Sequence, residues 1–310
     1  MAGSEILDWS EAAEGDVSEA SRRAMSSVAE RVVETVESGQ PLSYLHGAVD
    51  ELLDRAELVM GTERWGTGIE IGAGSAYVSA ALSKRSGVER IYVLEPSREF
   101  VETVMPAVFA AAGADESKLV RVVGSFNRID LSDESLDFVA AFAALHHSDD
   151  LHATLGELAR VLRPGGFLVA VERYQPDNLS NAELNVLLDV PLDDELRTSY
   201  GVEHGVLRRR DVGEHEHRLA EWKAALLGAG FEIYPFMGVD FSGRRAYAAL
   251  GAVWRTVLAR LGPRLLRARR WQILGSQIPF DTRWLLRADD NATNLFLVAR
   301  KSPSASVDSR

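Results

Sequence analysis

The sequence contains no cysteine. Disulfide bridges, thiolate zinc sites and a cysteine nucleophile are therefore excluded together, because each of them needs a thiol. The N-terminal stretch is acidic rather than basic and apolar, and no later run approaches the ~20 apolar residues of a membrane span. We therefore expect a cytoplasmic protein, and a membrane partner is disfavoured.

Positive charge is also scarce. The chain has 34 Lys and Arg residues against 46 Asp and Glu residues, which gives a formal net charge of -12. This balance repels a nucleic-acid backbone, so we expect no nucleic-acid partner. The charge is unevenly spread, because residues 1–60 are rich in acids and residues 241–290 are rich in arginine. We expect a small-molecule partner, and a homodimer stays an open alternative.

The composition that is present belongs to a packed globular protein. Hydrophobic residues make up 46% and charged residues 26% of the 310 residues, which is typical of soluble proteins rather than disordered chains. Residues 1–60 predict an N-terminal helical cap. Apolar residues recur at helical spacing from Val17 to Val36, Gly39-Gln40-Pro41 ends that segment, and a second helical stretch runs from Leu42 to Val59.

From residue 61 short apolar runs alternate with helical segments, which predicts a doubly wound α/β fold. The predicted helices are Tyr77–Arg85, Arg98–Ala112, Leu151–Val161 and Leu219–Leu227. The predicted strands are Gly68–Ile71, Arg90–Leu94, Leu119–Val123, Asp137–Phe142, Phe167–Val171, Phe231–Tyr234 and Asn294–Ala299. The tetrapeptide Arg163-Pro164-Gly165-Gly166 predicts a stop and a turn before the strand at Phe167.

The long separation between the last two predicted strands indicates an insertion. The predicted divisions are a Rossmann-like core over 61–237, a helical insertion or lid over 238–291, a last core strand over 292–301 and a disordered tail over 302–310. The insertion carries an apolar stripe at helical spacing together with Arg255, Arg260 and Arg264. Three interpretations stay open: a basic helix on a membrane, a face packed on its own domain, or a lid over the acceptor.

The strongest local signal is the run Ile69-Glu70-Ile71-Gly72-Ala73-Gly74-Ser75-Ala76, a strand that ends in a glycine turn and opens a helix. Glycines there let the backbone approach a ligand, and the free N–H groups of the helix start lie nearby. A dinucleotide fold would need a third glycine at position 77, where Tyr77 stands, so hydride transfer is disfavoured. Glu95 ends the next predicted strand, where a carboxylate can accept hydrogen bonds from both hydroxyls of a ribose.

Further motifs follow this turn in order. They are Asp137-Phe138-Val139, the His146-His147 pair and Leu162-Arg163-Pro164-Gly165-Gly166. Together with the glycine turn and Glu95, their order and spacing resemble the class I S-adenosylmethionine-dependent methyltransferases, in particular the broad small-molecule group. The resemblance covers residues 66–175, and it resumes around residues 213–231 and at the last strand.

This resemblance implies a fold, a cofactor and a set of binding residues. The fold is a doubly wound, seven-stranded sheet whose last strand is antiparallel. The cofactor is S-adenosyl-L-methionine, lying across the carboxyl ends of the first strands. The binding residues that the resemblance implies are Gly72 and Gly74 for the methionine part, Glu70 near its amine, Glu95 for the ribose, and Ser125 and Phe126 beside the adenine.

Two positions depart from the family's pattern. Ala76 stands where the family usually has its third glycine, and Ser125 stands where an acid often receives the adenine amino group. An alanine is a small intrusion, and a hydroxyl can still accept a hydrogen bond. These departures keep a second class of function open, namely a methyltransferase-like protein that binds without catalysing.

The acceptor side is predicted from the residues that follow the later strands. Methyl transfer needs alignment of donor and acceptor and, for a hydroxyl or amine, removal of a proton. The candidates are His146 and His147 after the fourth predicted strand, and Glu172, Arg173 and Tyr174 after the fifth. We predict His146 as the catalytic base and His215 as the second choice, because an imidazole titrates near neutral pH. The resemblance implies a structural role for His147.

The segment around His215 allows one further hypothesis. His215 and His217 stand two residues apart beside Glu214 and Glu216, and they could bind a metal if the segment were extended. The alternative is a helix entry with exposed imidazoles, and we predict no metal.

Together these expectations predict an enzyme that transfers a methyl group to an oxygen or nitrogen of a small metabolite, as in natural-product tailoring. An anionic acceptor is one open alternative. A peripheral membrane methyltransferase with a lipid-like acceptor is another.

Overall fold

In the part of the chain that the structure describes, a mixed β-sheet of nine strands forms the centre of the fold. The computed structural model describes residues 6–10, 29, 32–38, 44–199, 202, 204–234, 237–239 and 294–303. The strands are β1 (Ile6–Asp8), β2 (Gly66–Ile71), β3 (Val88–Glu95), β4 (Leu119–Val123), β5 (Leu136–Phe142), β6 (Leu162–Arg173), β7 (Phe231–Ile233), β8 (Met237–Val239) and β9 (Asn294–Lys301). The α-helices are Tyr44–Met60, Tyr77–Ser83, Met105–Ala112, Leu151–Val161, Asn181–Leu188, Asp194–Ser199 and Leu219–Gly228.

The strand order is β1-β4-β3-β2-β5-β6-β9-β7, and β8 also pairs with β9. Strands β1 to β6 pair in parallel, whereas β9 is antiparallel to β6, β7 and β8. From the neighbouring strands β2 and β5 the chain winds outward in opposite directions. This arrangement confirms the predicted doubly wound fold with its antiparallel last strand, although the sheet has more strands than the predicted seven.

Helices cover both faces of the sheet. Ile69 and Ile71 of β2 pack into one core together with the helices Leu151–Val161 and Leu219–Gly228. Residues of the opposite face pack with the helices that precede and follow β2. A sheet covered on both sides needs nearly continuous apolar strands. Such apolar runs can be recognised in the sequence, so the strands could be predicted from it. The carboxyl ends of the parallel strands meet at one edge, where open α/β sheets bind ligands.

The N-terminus differs from the predicted helical cap over residues 1–60. β1 adds a parallel strand beside β4, and the N–H of Trp9 donates to the Val123 carbonyl over 2.8 Å. The Trp9 ring is buried and lies 5.9 Å from the ring of Tyr92. Pairing with an open sheet edge and burial of an indole are long-range effects, which local helical spacing does not report. Within the predicted cap, residues 32–37 and Tyr44–Met60 are helical, and the remainder of Val17–Val36 apart from Ala29 lies outside the described residues.

The stop and turn predicted at residues 163–166 take a different form. The helix Leu151–Val161 passes directly into β6. The pairing with β5 shifts between Leu136, opposite Leu162, and Phe138, opposite Phe167. Gly165 has φ +83° inside this irregularity, a conformation that glycine adopts readily. The tetrapeptide is therefore a bulge within the strand.

The predicted insertion over 238–291 begins differently from the expected helix, because β8 pairs with β9. Its arginine-rich part, with Arg255, Arg260 and Arg264, lies outside the described residues, as does the chain after residue 303. Among the helices that the structure describes, none combines the length and the apolarity needed to cross a membrane. The boundaries that we predicted for the domains stay predictions.

Candidate cofactor and acceptor site

The glycine turn lies at the carboxyl end of β2. Gly72 has φ +56° and Gly74 has φ +48°, in the left-handed region that side chains disfavour. A Cβ on Gly72 would lie 2.7 Å from the Cβ of Ala144 and 3.7 Å from Cε1 of Phe126, whereas a Cβ on Gly74 would meet no atom within 4 Å. Gly72 therefore lets two neighbouring strand ends approach each other, and Gly74 faces open space.

Ala76, the position that departs from the family's pattern, shares this left-handed conformation. It precedes the helix Tyr77–Ser83 with φ 57° and ψ 31°, and it is fully buried. Left-handed geometry costs a non-glycine residue about 1–2 kcal/mol. This left-handed conformation is the physical reason why a glycine is favoured at position 76. The backbone of this chain adopts it although the residue is an alanine.

Glu95 ends β3 beside the glycine turn. Its carboxylate is 2% exposed and accepts hydrogen bonds from the N–H of Gly74 over 2.9 Å and of Ser97 over 3.0 Å. Burial raises the pKa of Glu95 to about 7, although both backbone donors act in the opposite direction. A ligand that donates hydrogen bonds here would stabilise the charged carboxylate.

Glu70 lies beneath the same turn. It is buried and accepts hydrogen bonds from the N–H of Ser79, over 2.7 Å, and from the Ser79 hydroxyl. Burial raises its pKa to about 7, and the nearby charge of Glu95 adds to the rise. The carboxylate therefore ties the turn to the helix that follows. Its contact with a cofactor amine stays a prediction.

Ser125 and Phe126 follow β4, the strand next to β3. Ser125 is buried, and its hydroxyl accepts the N–H of Asn127 over 3.2 Å. Phe126 is partly buried against the core near Gly72. A cavity of about 530 Å³ beside the ends of β3 and β4 is lined by Ser97 and Val123 among others, but by none of the residues predicted to bind the cofactor. The residues predicted to bind the cofactor thus lie on adjacent strand ends, as the sequence predicted from their order.

His146 lies in the turn after β5. It is 4% exposed, and its Nδ1 lies 2.7 Å from Oε2 of Glu172. The carboxylate of Glu172 also accepts hydrogen bonds from three backbone N–H groups of the turn, those of Ala144, Leu145 and His146. Because Ala144 faces Gly72, this turn is next to the predicted methionine end of the cofactor site.

His147 and His215 connect this turn to the segment Gly213–His217. Nδ1 of His147 lies 2.9 Å from the Gly213 carbonyl, a contact that agrees with the predicted structural role. The N–H of His215 donates to the His146 carbonyl over 3.0 Å. Its ring is partly exposed, with Nε2 3.1 Å from the exposed carboxylate of Asp149. Of the two predicted bases, His146 is the buried one.

The acids of the same segment, Glu214 and Glu216, were considered from the sequence only as possible metal-site neighbours of the histidines. Glu214 forms ion pairs with Arg173 and Arg209, and Glu216 pairs with Arg209 and accepts a hydrogen bond from Gln175 over 2.7 Å. The extended spacing of two residues turns Glu214 and Glu216 to the same side, toward the arginines. The signal was present in the Glu-His-Glu-His alternation, but the partners come from distant parts of the chain.

The nearest approach to a metal-binding group also involves Glu214. Among the described residues, His146, His147 and Glu214 bring one ligand atom each within 4.8 Å of one another. This is a different set from the His215 and His217 pair considered from sequence. Since Glu214 is in an ion pair with Arg173, its charge is already matched. The absence of a metal stays a prediction.

The sequence of this chain is similar to those of known methyltransferases. A family model described as a methyltransferase domain matches residues 69–170. The chain is 31% identical over 159 residues to an uncharacterised methyltransferase of Mycobacterium bovis, covering 51% of this chain and 57% of that protein. It is 30% identical over 109 residues to a sterol 24-C-methyltransferase of Gibberella zeae, covering 34% of this chain and 29% of that protein. The chain therefore spans less than two thirds of the length of these curated relatives.

A solved structure shows the same fold. It is a candidate sarcosine dimethylglycine methyltransferase from Galdieria sulphuraria, with a TM-score of 0.56 and 18% identity. The match covers 88% of this chain and 98% of that chain. At this level of identity the likeness concerns the architecture.

Proposed function

We propose that this chain, whose residues 69–170 match a family model described as a methyltransferase domain, uses S-adenosylmethionine to methylate an oxygen or nitrogen of a small metabolite. The observation that carries the proposal is the convergence of the glycine turn, the buried carboxylate of Glu95 and the buried His146 at the carboxyl ends of β2, β3 and β5. In this proposal the glycine turn accommodates the methionine part of the cofactor, Glu95 binds its ribose and His146 acts as the base, all at one edge of the sheet.

The cofactor half of the site fits an adenosine-bearing ligand. Glu95 is a buried acceptor whose partners are backbone N–H groups, so two ribose hydroxyls can take part in the same carboxylate's hydrogen bonding. The open space at Gly74 leaves room beside it. In this proposal Gly72 and Gly74 pass the methionine part with Glu70 near its amine, and Ser125 and Phe126 flank the adenine.

The protein's own contribution to the reaction is alignment and proton removal. When bound, S-adenosylmethionine supplies an electrophilic methyl group on a sulfonium. His146 takes the proton from the acceptor's hydroxyl or ammonium at Nε2 in this proposal, which leaves the acceptor's lone pair free to react. His215 is the second candidate for this task. The burial of His146 and its position beside the glycine turn support the first choice.

The class of acceptor is drawn from chemistry and from relatives. The Galdieria protein is named for sarcosine and dimethylglycine, which are small amines that carry a carboxylate. Such acceptors agree with the small, anionic metabolite proposed for this chain. We propose that the protein acts in the cytoplasm, without nucleic acid.

A lipid-like acceptor is the competing proposal, because one relative is named as a sterol methyltransferase. Sedimentation with anionic liposomes distinguishes the two. Strong, salt-sensitive binding to the liposomes would support a peripheral membrane enzyme, whereas a small-metabolite enzyme stays in the supernatant.

Calorimetric titration with S-adenosylhomocysteine, the product of the cofactor, tests the proposal first. We expect saturable binding at one site per chain. Incubation with S-adenosylmethionine and small amino acids that carry secondary or tertiary amines should then release S-adenosylhomocysteine. A folded protein that binds neither form of the cofactor would exclude the proposed activity. Binding without turnover on any small acceptor would favour the non-catalytic alternative.

A further inference from the structure

Glu172, at the carboxyl end of β6, has a hydrogen-bond pattern that Glu70 and Glu95 do not share, because it joins backbone N–H groups to a histidine ring. Its carboxylate is 1% exposed. Oε1 accepts the N–H groups of Ala144 over 2.9 Å and Leu145 over 2.8 Å. Oε2 lies 3.3 Å from the N–H of His146 and 2.7 Å from Nδ1 of the same residue. All three backbone partners are donors, so the carboxylate acts toward them as an acceptor.

We propose that Glu172 is a positioning residue that holds the ring proton of His146 on Nδ1 and thereby leaves the lone pair on Nε2. A carboxylate can only accept, so the close partner Nδ1 has to donate. A neutral imidazole carries one ring proton, and a proton on Nδ1 makes Nε2 the basic nitrogen. The proposal rests on the proposed function, because a base at Nε2 matters only if the acceptor loses a proton there.

The surroundings of Nε2 agree with this assignment. Nε2 of His146 lies 3.6 Å from Oε2 of Glu214, which is beyond hydrogen-bond distance. The Glu214 carboxylate is itself in an ion pair with Arg173. Nδ1 rather than Nε2 is therefore the ring nitrogen of His146 that has a carboxylate oxygen at hydrogen-bond distance.

Glu172 also shapes the turn that carries the base. Ala143 has φ 56°, and the two following N–H groups donate to Glu172. Ala144 in turn lies against the glycine turn at Gly72. One carboxylate therefore sets both the position of the His146 backbone and the protonation of its ring. A useful test has to separate these two effects.

The separating measurement is the nitrogen NMR spectrum of protein labelled with ¹⁵N-histidine. Spectra are recorded at pH 8, above the ordinary imidazole pKa of about 6.5. The chain has 7 histidines, and His146→Asn identifies the signals of the ring in question. We expect wild-type His146 to be protonated on Nδ1 and bare on Nε2. A wild-type ring protonated on Nε2 would overturn the proposal.

Glu172→Gln sharpens the test. The amide oxygen can still accept from Ala144 and Leu145, while the amide NH₂ replaces Oε2 and donates to Nδ1. We expect the ring proton to move to Nε2 in this variant. An unchanged Nδ1–H ring in the folded variant would contradict the proposal. Glu216→Gln is the matched control, because Glu216 is a buried acid of the same cluster whose partners are Arg209 and Gln175, and it should leave the tautomer unchanged.

Two features keep the result interpretable. If Glu172→Gln does not fold, the wild-type spectrum alone decides the tautomer. The spectra need no cofactor or acceptor, so failure of the proposed function would appear separately, as absence of S-adenosylhomocysteine binding in calorimetry.

Discussion

The two halves of the candidate site treat their buried acids differently. In the cofactor half, Glu70 and Glu95 have hydrogen-bond partners on Ser79, Gly74 and Ser97, and burial raises both pKa values to about 7. In the acceptor half, the acids face cationic or ionisable side chains. Glu172 contacts His146. Glu214 forms an ion pair with Arg173, and Glu216 forms an ion pair with Arg209.

This difference indicates which half of the site needs a bound ligand to stabilise its buried carboxylates. In the acceptor half the acids lie beside a histidine or arginines of the protein itself, and these contacts hold its geometry. The cofactor half contains carboxylates that burial penalises, and donors on a ligand would relieve that penalty. We therefore expect substitutions in the acceptor half to change turnover and substitutions in the cofactor half to change affinity.

The largest expected effect lies in the acceptor half. His146→Asn should slow turnover of the identified acceptor by about 10²–10⁴-fold, the range for loss of a general base, while S-adenosylhomocysteine affinity stays near wild type. His147→Asn is the neighbouring control, and His215→Asn tests the second candidate. Kinetics and calorimetry on the same preparations make the comparison. Near-wild-type turnover in both His146→Asn and His215→Asn would rule out a histidine base.

Next in size is the effect of removing Glu95, the proposed ribose anchor. Glu95→Ala should weaken S-adenosylhomocysteine binding by about 1.5–3 kcal/mol, the range for hydrogen bonds to a charged group, without unfolding the protein. Glu89→Ala, at the exposed start of the same strand β3, serves as the matched control and should bind normally. If calorimetry gave equal affinities for the two variants, Glu95 would have to be removed from the site.

The pH dependence of cofactor binding probes the same carboxylate. Because the pKa of Glu95 in the free protein is about 7 and hydrogen-bond donors favour its charged form, affinity should be full above pH 7 and fall below it. The fall should approach about tenfold per pH unit once the acid is mostly protonated. Calorimetry from pH 8 to pH 6 measures it. Glu95→Gln should flatten the profile, and an equally steep profile in that variant would assign the titration to another group, such as Glu70.

The smallest expected effect concerns the left-handed turn at Ala76. Ala76→Gly should relieve about 1–2 kcal/mol of backbone strain and lose about 0.4–1 kcal/mol through the more flexible unfolded chain. The net result should be a gain in stability between zero and about 1.6 kcal/mol in denaturant unfolding. Ala80→Gly, at a buried helical position four residues later, should instead destabilise by about 1 kcal/mol. A matching loss in both variants would show that Ala76 is not strained.

Much of the cofactor half could be predicted from the sequence because its signals are local. The glycine turn, the apolar strands around it and Glu95 at a strand end are adjacent in the chain to the elements that define them. Parallel strands then bring their carboxyl ends together without further information. His146 could be chosen for the same reason, since it directly follows β5.

The contacts of the acceptor half could not be predicted as well, because they join residues far apart in the chain. The ring of His215, the second candidate base, lies beside Asp149, and no local pattern indicates this contact between residues 66 positions apart. Glu214 and Glu216, which were noted as neighbours of the histidines, are the residues that turn toward Arg173 and Arg209. Nothing in the local pattern identifies which alternating face of an extended segment is covered.

The sequence by itself determined the alternation of strands and helices, the glycine turn and the identity of the acids at the strand ends, because hydrophobic period and turn chemistry act over a few residues. Tertiary structure decided that residues 6–8 join β4 as an edge strand, that residues 163–166 form a bulge, and that Glu172 accepts from His146. Each of these depends on which distant backbone or side chain arrives at the same place. Strand pairing and buried ion pairs acquire their energy only when the chain has folded.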